Sequence, residues 1–511
     1  MSTPARLAKG TGLTLGQVAT TIVGQIATVP IYLSHWDAET YGVWLILQGM
    51  FGYLSLFSTA HQQYTYAEVL KCGPEARDVL RRIYWTSLAV AFVIASAEFS
   101  AIVGFASQVV SAAISPHAAA VVTLLLLYSL LNLITMPFGA ITAQTMTIFG
   151  YYPHSAAWGL LRTALSLTAP ALAVLSGAGL MTAGLVLIAA HAVPALLSLV
   201  YWIRLARRFG LLVRQQIDWR LGLRNALYCL PLAGRSFIDS FRQQGFRILL
   251  GAYAGAVAVT TLATTRTFSN VLHQGLSAIT APLMPELMRY VVNRDQDRME
   301  GAFAIVWLCL FVLLVPGILV LCILAEPVFV FWTRGAVGFD PVLFLTLLIA
   351  VLVYAAGQPA TAILQGQNRI AWMISISMAA ALGLAAFCVV LIPPFGLRGA
   401  GFALLGAELC AAALTVAGAA RALRQSGLGF PLRSFALVAA TVWSVFGLSL
   451  LVVTVFGGRG VLMALPFVAN AMFAALYWAM IPTLARARIL TVLAALRARL
   501  PIRARMASGS K

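Results

Sequence analysis

Apolar residues run along this chain in long blocks, and polar and charged residues collect in short stretches between them. A hydrocarbon core about 30 Å thick is crossed by a helix of about 20 mostly apolar residues. Fourteen stretches meet that length with few or no charges: 10–34, 40–60, 83–107, 118–145, 157–177, 180–203, 225–252, 257–285, 301–331, 341–366, 370–392, 399–420, 435–457 and 460–483. The seventh and eighth are included despite several charges. The pattern predicts an all-α integral membrane protein of about 14 transmembrane helices. The first block resembles a signal peptide in having Arg6 and Lys9 ahead of an uncharged run, Gly10 to Ser34. A typical signal core spans only about 7–15 residues, so the run reads as a first span.

Composition agrees with this reading. The chain is 61% hydrophobic and 10% charged, whereas soluble domains carry about 25% charged residues. The net charge of +19 comes from 31 Arg and 3 Lys set against 15 acidic residues. With fourteen spans, 27 of the 34 cations fall on the side of the termini and only Arg334, Arg398 and Arg459 on the other. The remaining four lie inside the membrane. The positive-inside rule then predicts cytoplasmic termini. The basic balance is topology, and no nucleic acid is expected as a partner. The expected units are 1–203, a six-helix bundle; 204–224, a cytoplasmic linker; 225–420, a second six-helix bundle; 421–483, an additional helix pair; and 484–511, a basic cytoplasmic tail. The linker and the tail segment 488–505 have two open readings: a helix lying in the headgroup region, or a solvated charge cluster.

The four intramembrane cations change the picture most. The stretch RSFIDSFRQQGFR at 235–247 puts Arg235, Asp239, Arg242 and Arg247 into a span. With a tight outer turn near 252–257, residues at equal depth in spans seven and eight sum to about 509. Arg242 then falls opposite Thr267, beside Arg266. Asp239 falls opposite Asn270, and Arg235 opposite Gln274, beside His273. Arg235, Asp239 and Arg242 share one helical face, as do Arg266, Asn270, His273 and Ser277. On a regular helix Arg247 points about 120° away, which fits a snorkelling side chain. An arginine facing lipid near mid-membrane costs at least about 2.5–3.5 kcal/mol. The faces line a cationic cavity for an anion, a buried ion pair of Asp239 with a neighbouring arginine, or, at that cost, lipid with snorkelling side chains.

Other polar groups in the spans are sparse. Glu98 and Glu408 are isolated acids, each readable as a coupling site or as a hydrogen-bonded structural carboxyl. Gln17, Gln25, Gln48 and Gln358 could contact sugar hydroxyls or bond across helices. His191, close to Pro194, reads as helix packing. The six cysteines lack C-x-x-C spacing; they read as apolar packing, and no metal site or cofactor is expected. The chain has no G-x-x-x-x-G-K-[ST] loop, no H-E-x-x-H and no G-x-S-x-G. Loops of about 15–25 residues leave no room for a soluble catalytic domain. The chain is not expected to be an enzyme.

The stretch VPIYLSHWDAETYGVWLILQGMFGYLSL (29–56), with Tyr41, Gly42 and Trp44, resembles the start of polysaccharide-biosynthesis (Wzx-type) flippases of the multidrug/oligosaccharidyl-lipid/polysaccharide (MOP) exporter superfamily. ILQGQNRIAW (363–372) resembles that family's end of span ten, and GLRGAGFALLGAEL (396–409) its start of span twelve. The resemblance implies two helical bundles around a central cavity that opens alternately to either side. It implies movement of undecaprenyl-diphosphate-linked oligosaccharides across a bacterial inner membrane for polysaccharide export. Membrane lipid and the lipid-linked glycan would be its partners, with a polymerase and glycosyltransferases nearby and the chain itself a monomer. Arg235, Arg242 and Arg266 would bind the diphosphate or acidic sugars, oriented by Asp239. The trailing helix pair leaves a lipid II-type flippase open. Two further alternatives are a cation-coupled multidrug exporter, which would want carboxylates in the cavity, and a membrane enzyme or assembly factor, which would want a soluble loop.

Overall fold

The structure is a computed structural model that describes residues 3–72, 75–113, 117–280, 287, 289–291, 293–367, 369–456, 464–481 and 486. All regular structure among the described residues is helical, with no strand. Nine of the described elements are long and apolar enough to cross a membrane, or ten when one bent pair counts as a span. Two of the nine, Ala118–Leu175 and Ala371–Gln425, hold 58 and 55 residues. Each is long enough for two crossings and breaks at a glycine, Gly150 (φ 88°) or Gly396 (φ 56°). The expected fourteenth segment corresponds to a helix of 17 residues. The chain is an all-α, multi-pass membrane protein.

Packing groups the chain into two compact units, and these are not the sequence halves. The first takes 1–268 with 328–339 and 388–400; the second takes 269–327, 340–387 and 401–511. The first unit holds α1 (Thr3–Leu33), α2 (Ala38–Tyr53), α3 (Leu56–Cys72), α4 (Arg77–Ala113), α5 (Ala118–Thr135), α6 (Ile141–Met146), α7 (Tyr152–Leu175), α8 (Leu180–Arg208), α9 (Trp219–Ser240) and most of α10 (Phe246–Thr280). Helix α1 packs on α7, α7 on α8, and α9 on α3 and α4. Gln17 donates to Thr163 of α7 at 3.0 Å.

The residues that carry the family resemblance are packing residues. Tyr41 and Trp44 stack around Tyr32 with centroids 5.5 Å away, and Trp36 closes the cluster at 5.1 Å from Tyr32. Gly42 lets α2 meet the chain just past Gly255: a Cβ there would run into the Ala256 carbonyl. Thr260 donates to the Ala38 carbonyl at 2.6 Å across the same contact. Gly255 itself (φ 80°, ψ 172°) breaks α10 within the expected outer turn. A Cβ on Gly251 would lie 3.6 Å from Val259, so the two arms meet in the register expected from the turn.

The linker is a strap over residues 209–218. It is not helical there, and Arg214 is exposed. Arg81 of α4 donates to the Gly210 carbonyl at 2.8 Å and Trp85 to the Val213 carbonyl at 3.0 Å. Asp218 pairs with Arg82, and its N–H donates to Thr86 at 3.2 Å. One face of α4 therefore holds the linker along its length. The tail segment 488–505 lies outside the described residues.

In the second unit are α11 (Gln296–Cys309), α12 (Val315–Thr333, whose last turns belong to the first unit), α13 (Pro341–Gly366), α14 (Ile370–Gln425), α15 (Leu432–Phe456) and α16 (Ala464–Met480). Trp307 donates to the Ala356 carbonyl at 3.1 Å, tying α11 to α13. Asn470 donates to the Phe311 carbonyl at 3.0 Å, which ties the added helix α16 to the wide turn after α11. Trp307, Phe430, Phe435 and Tyr477 close an aromatic core around that junction. Trp372 lies where a Cβ on Gly418 would be, so the two arms of α14 approach closely.

Candidate functional site

The charged stretch folds as the end of α9, a wide π-helical turn at Phe241–Gly245, and the start of α10. Such turns hold about one extra residue and recur at functional sites. The extra residue changes the phase of everything after it. On a regular helix Arg247 would sit about 120° round from Arg235. With one residue absorbed, it returns to within about 20° of that face. Arg247 is half-buried and interacts electrostatically with Tyr41. The expected 120° offset is thereby corrected: its assumption of a uniform helical period fails at the wide turn.

Small residues make room for the turn. Gly49 and Gly52 of α2 lie against Gln244, whose side chain would stand 3.5 and 3.6 Å from a Cβ at those positions. Gln244 Oε1 is buried there without a protein partner among the described residues. Arg235 and Arg266 are both half-buried, on α9 and α10. Asn270 is half-buried one turn further along α10. The side chains of Asp239, Arg242 and His273 lie outside the described residues. Within the first unit, α9 and α10 thus carry Arg235, Arg247 and Arg266, whose planar guanidinium geometry suits phosphate or carboxylate oxygens.

Four aspartates cap the helices that follow them. Asp37 caps α2 through Thr40 N at 2.8 Å, and Asp218 caps α9 through Leu221 N at 3.0 Å. Asp295 caps α11 through Arg298 N at 3.0 Å, and Asp340 caps α13 through Val342 N at 2.9 Å. The bonds from Thr40 hold the Asp37 carboxyl below the usual range. The Leu221 N–H and then Arg82 do the same for Asp218. A preceding Asp is a recognised helix-start signal, so these caps were within reach of sequence reasoning.

Glu98 is placed by α4 at the start of α3. Its Oε1 accepts from the N–H groups of Phe57 (3.0 Å) and Ser58 (3.1 Å), and its Oε2 accepts from Ser58 Oγ at 2.5 Å. Nothing in the sequence announces this contact, because its partners lie forty residues away. Glu408 is half-buried in the second arm of α14. Gln25 is exposed on α1, Gln48 is half-buried on α2, and Gln358 carries a buried Nε2 without a protein partner among the described residues. His191 packs edge-on against Tyr128, with centroids 5.5 Å apart. Among the described residues no group of three His, Cys, Asp or Glu could hold a metal ion.

No protein-family model matches the chain, and no curated protein matches it in sequence. Solved structures match it in fold. The lipid II flippase MurJ in an inward closed conformation is 10% identical over 91% of this chain and 97% of its own, with a TM-score of 0.62. An inward-facing multidrug resistance MATE family transporter of the MOP superfamily is 12% identical over 81% of this chain and 99% of its own, at 0.61. A MOP superfamily transporter from Pyrococcus furiosus, described as having a binding pocket of reverse polarity, is 13% identical over 83% of this chain and 96% of its own, at 0.55. The chain has the all-α membrane fold of these transporters.

Proposed function

We propose that this protein moves an anionic, lipid-linked glycan of the undecaprenyl-diphosphate class from the cytoplasmic to the periplasmic leaflet of a bacterial inner membrane by alternating access. It acts as a monomeric carrier rather than an enzyme, beside a polymerase and glycosyltransferases that use the same glycan. One observation carries the reading: half-buried arginines occupy α9 and α10 of a transporter fold. Asp37, Asp218 and Glu98 are meanwhile engaged at helix starts. A cationic drug would call for free carboxylates, so a multidrug exporter is the weaker reading.

The likeness to the lipid II flippase adds support. It covers 91% of the 511 residues, against 81% for the MATE transporter, a difference of about fifty residues. The added pair α15 and α16, with 25 and 17 residues, has a comparable length. This keeps a lipid II-type substrate beside other polyprenyl-diphosphate glycans. In the proposed site Arg235, Arg242 and Arg266 hold the diphosphate or acidic sugars. Arg247 adds a fourth cation, Asp239 orients the arginines, and Asn270 and His273 extend the same face.

The test is flipping of a fluorescent polyprenyl-diphosphate oligosaccharide by reconstituted protein. Arg242→Gln and Arg266→Gln should each lower the rate roughly tenfold or more, the loss of one charge-assisted bond of about 1.5–3 kcal/mol, with normal membrane insertion. Full activity in both would remove the anion site. No flipping by the wild type, with drug transport present, would favour the exporter reading.

A further inference from the structure

We propose that Glu98 is a proton-binding site that sets the bend between α2 and α3, so that proton uptake changes the shape of the second span. The proposal goes beyond the substrate reading and does not depend on it. Taken as one span, helices α2 and α3 are bent by 41° at Leu54–Ser55. Leu54 keeps a near-helical backbone there (φ −65°, ψ −6°). In an uninterrupted helix the N–H groups of Phe57 and Ser58 would bond to the carbonyls of Tyr53 and Leu54. Here both go to Glu98 Oε1, and regular bonding is present again at Thr59 N to Ser55 O, 2.8 Å. The carboxylate stands in for two backbone carbonyls.

That substitution depends on charge. Bonds to an ionised acceptor are roughly twice as strong as neutral ones. The positive end of α3 also favours an anion at its first turn. One proton on Oε2 removes both advantages. The Ser58 hydroxyl then faces a neutral carboxyl. The Phe57 and Ser58 N–H groups transfer to the Tyr53 and Leu54 carbonyls, and the span straightens. One proton is taken up and no other group changes charge. No water is at hand in a membrane interior to satisfy those N–H groups, so they must bond to one set of acceptors or the other.

The neighbouring ionisable groups leave Glu98 as the switch. The Lys71–Glu68 pair and Tyr64 of α3 group with Arg224 and Tyr228 of α9, at the basic ends of those helices. Arg235 of α9 lies further along that helix, and Tyr128 of α5 stacks on Phe51. His61, one turn along α3 from Ser58, is fully buried with Nε2 3.1 Å from the Ser87 carbonyl and Nδ1 without a protein partner among the described residues. His61 is therefore the control.

The experiment is a spin-label distance between the ends of the span in the full chain, in lipid nanodiscs. Labels go on Glu39→Cys and Leu70→Cys, both exposed, with the six native cysteines replaced. Straightening a 41° bend between helices of 16 and 17 residues lengthens the span by about 3 Å. The wild type should lengthen on acidification from pH 8 to pH 5. Glu98→Gln should be long at every pH. Ser58→Ala, which removes one bond to the anion, should raise the midpoint by about one pH unit. His61→Gln should leave the response in place. A wild-type distance that ignores pH, a Glu98→Gln variant that keeps the response, an unmoved midpoint in Ser58→Ala, or loss of the response in His61→Gln would each overturn the proposal.

Discussion

Gly42 shows how much one residue can hold. It sits on the stretch that resembles the flippases, yet its role in the first unit is steric. A Cβ would meet the Ala256 carbonyl, which belongs to backbone and cannot rotate away. Gly42→Ala should therefore lower stability by about 1–3 kcal/mol, the usual range for overpacking. A thermal melt of the purified protein checks this. Gly104→Ala is the control, because nothing lies within 4 Å of a Cβ there and α4 should tolerate alanine. The sequence displayed Tyr41, Gly42 and Trp44 but not their function, because the partner Ala256 is more than two hundred residues away. Glu98 was hidden for a similar reason: an isolated acid gives no sign of which helix end it caps. The four aspartate caps were open to view, since each stands immediately before its helix.

The elements were the more legible level. Both hairpin breaks, at Gly255 and Gly396, fall inside turns expected from the apolar blocks. The wide turn at Phe241–Gly245 did not show itself, because an extra residue in a helix has no fixed sequence mark. It shifted the phase of Arg247 and so undid one inference while leaving the turn register intact. The linker shows a different limit. Its arginines left two readings open and said nothing of its contacts, which are backbone carbonyls taken by Arg81 and Trp85 of α4. Asp218 anchors the far end of this strap, and its folded carboxyl titrates below the usual carboxylate range. A lowered acid contributes stability above its unfolded value of about 3.9 and loses it as pH falls through the folded one. The strap should thus be unchanged between pH 5 and 8 and loosen only in strong acid. Asp218→Asn removes the charge at neutral pH. Tryptic cleavage at Arg214, an exposed strap residue, should then be faster than in the wild type. Equal cleavage rates would mean that Arg81 and Trp85 alone hold the strap.

At the scale of the whole molecule, the fold class was legible because a membrane imposes one rule on every span. Each needs about 20 apolar residues, and every backbone group must be bonded within the protein. The packing units were not legible, since α9 and most of α10 join α2 to α4 through contacts between residues far apart in sequence. The proposed anion site stands between these cases: its cations could be counted, but their facing depends on the wide turn. Orientation is the remaining large-scale expectation, and it rests on charge alone. With 27 cations on one side and three on the other, the loops holding His35, Arg334 and Arg398 belong outside. The loops holding Arg214, Arg294 and Arg424 belong inside. Single cysteines at these six positions, in a background without the native ones, distinguish the sides in intact cells. A membrane-impermeant thiol reagent should label the first three at once and the second three only after lysis. The opposite pattern would invert the proposed direction of transport. A mixed pattern would mean that one of the fourteen segments does not cross, and the loop where labelling first departs from expectation would identify it.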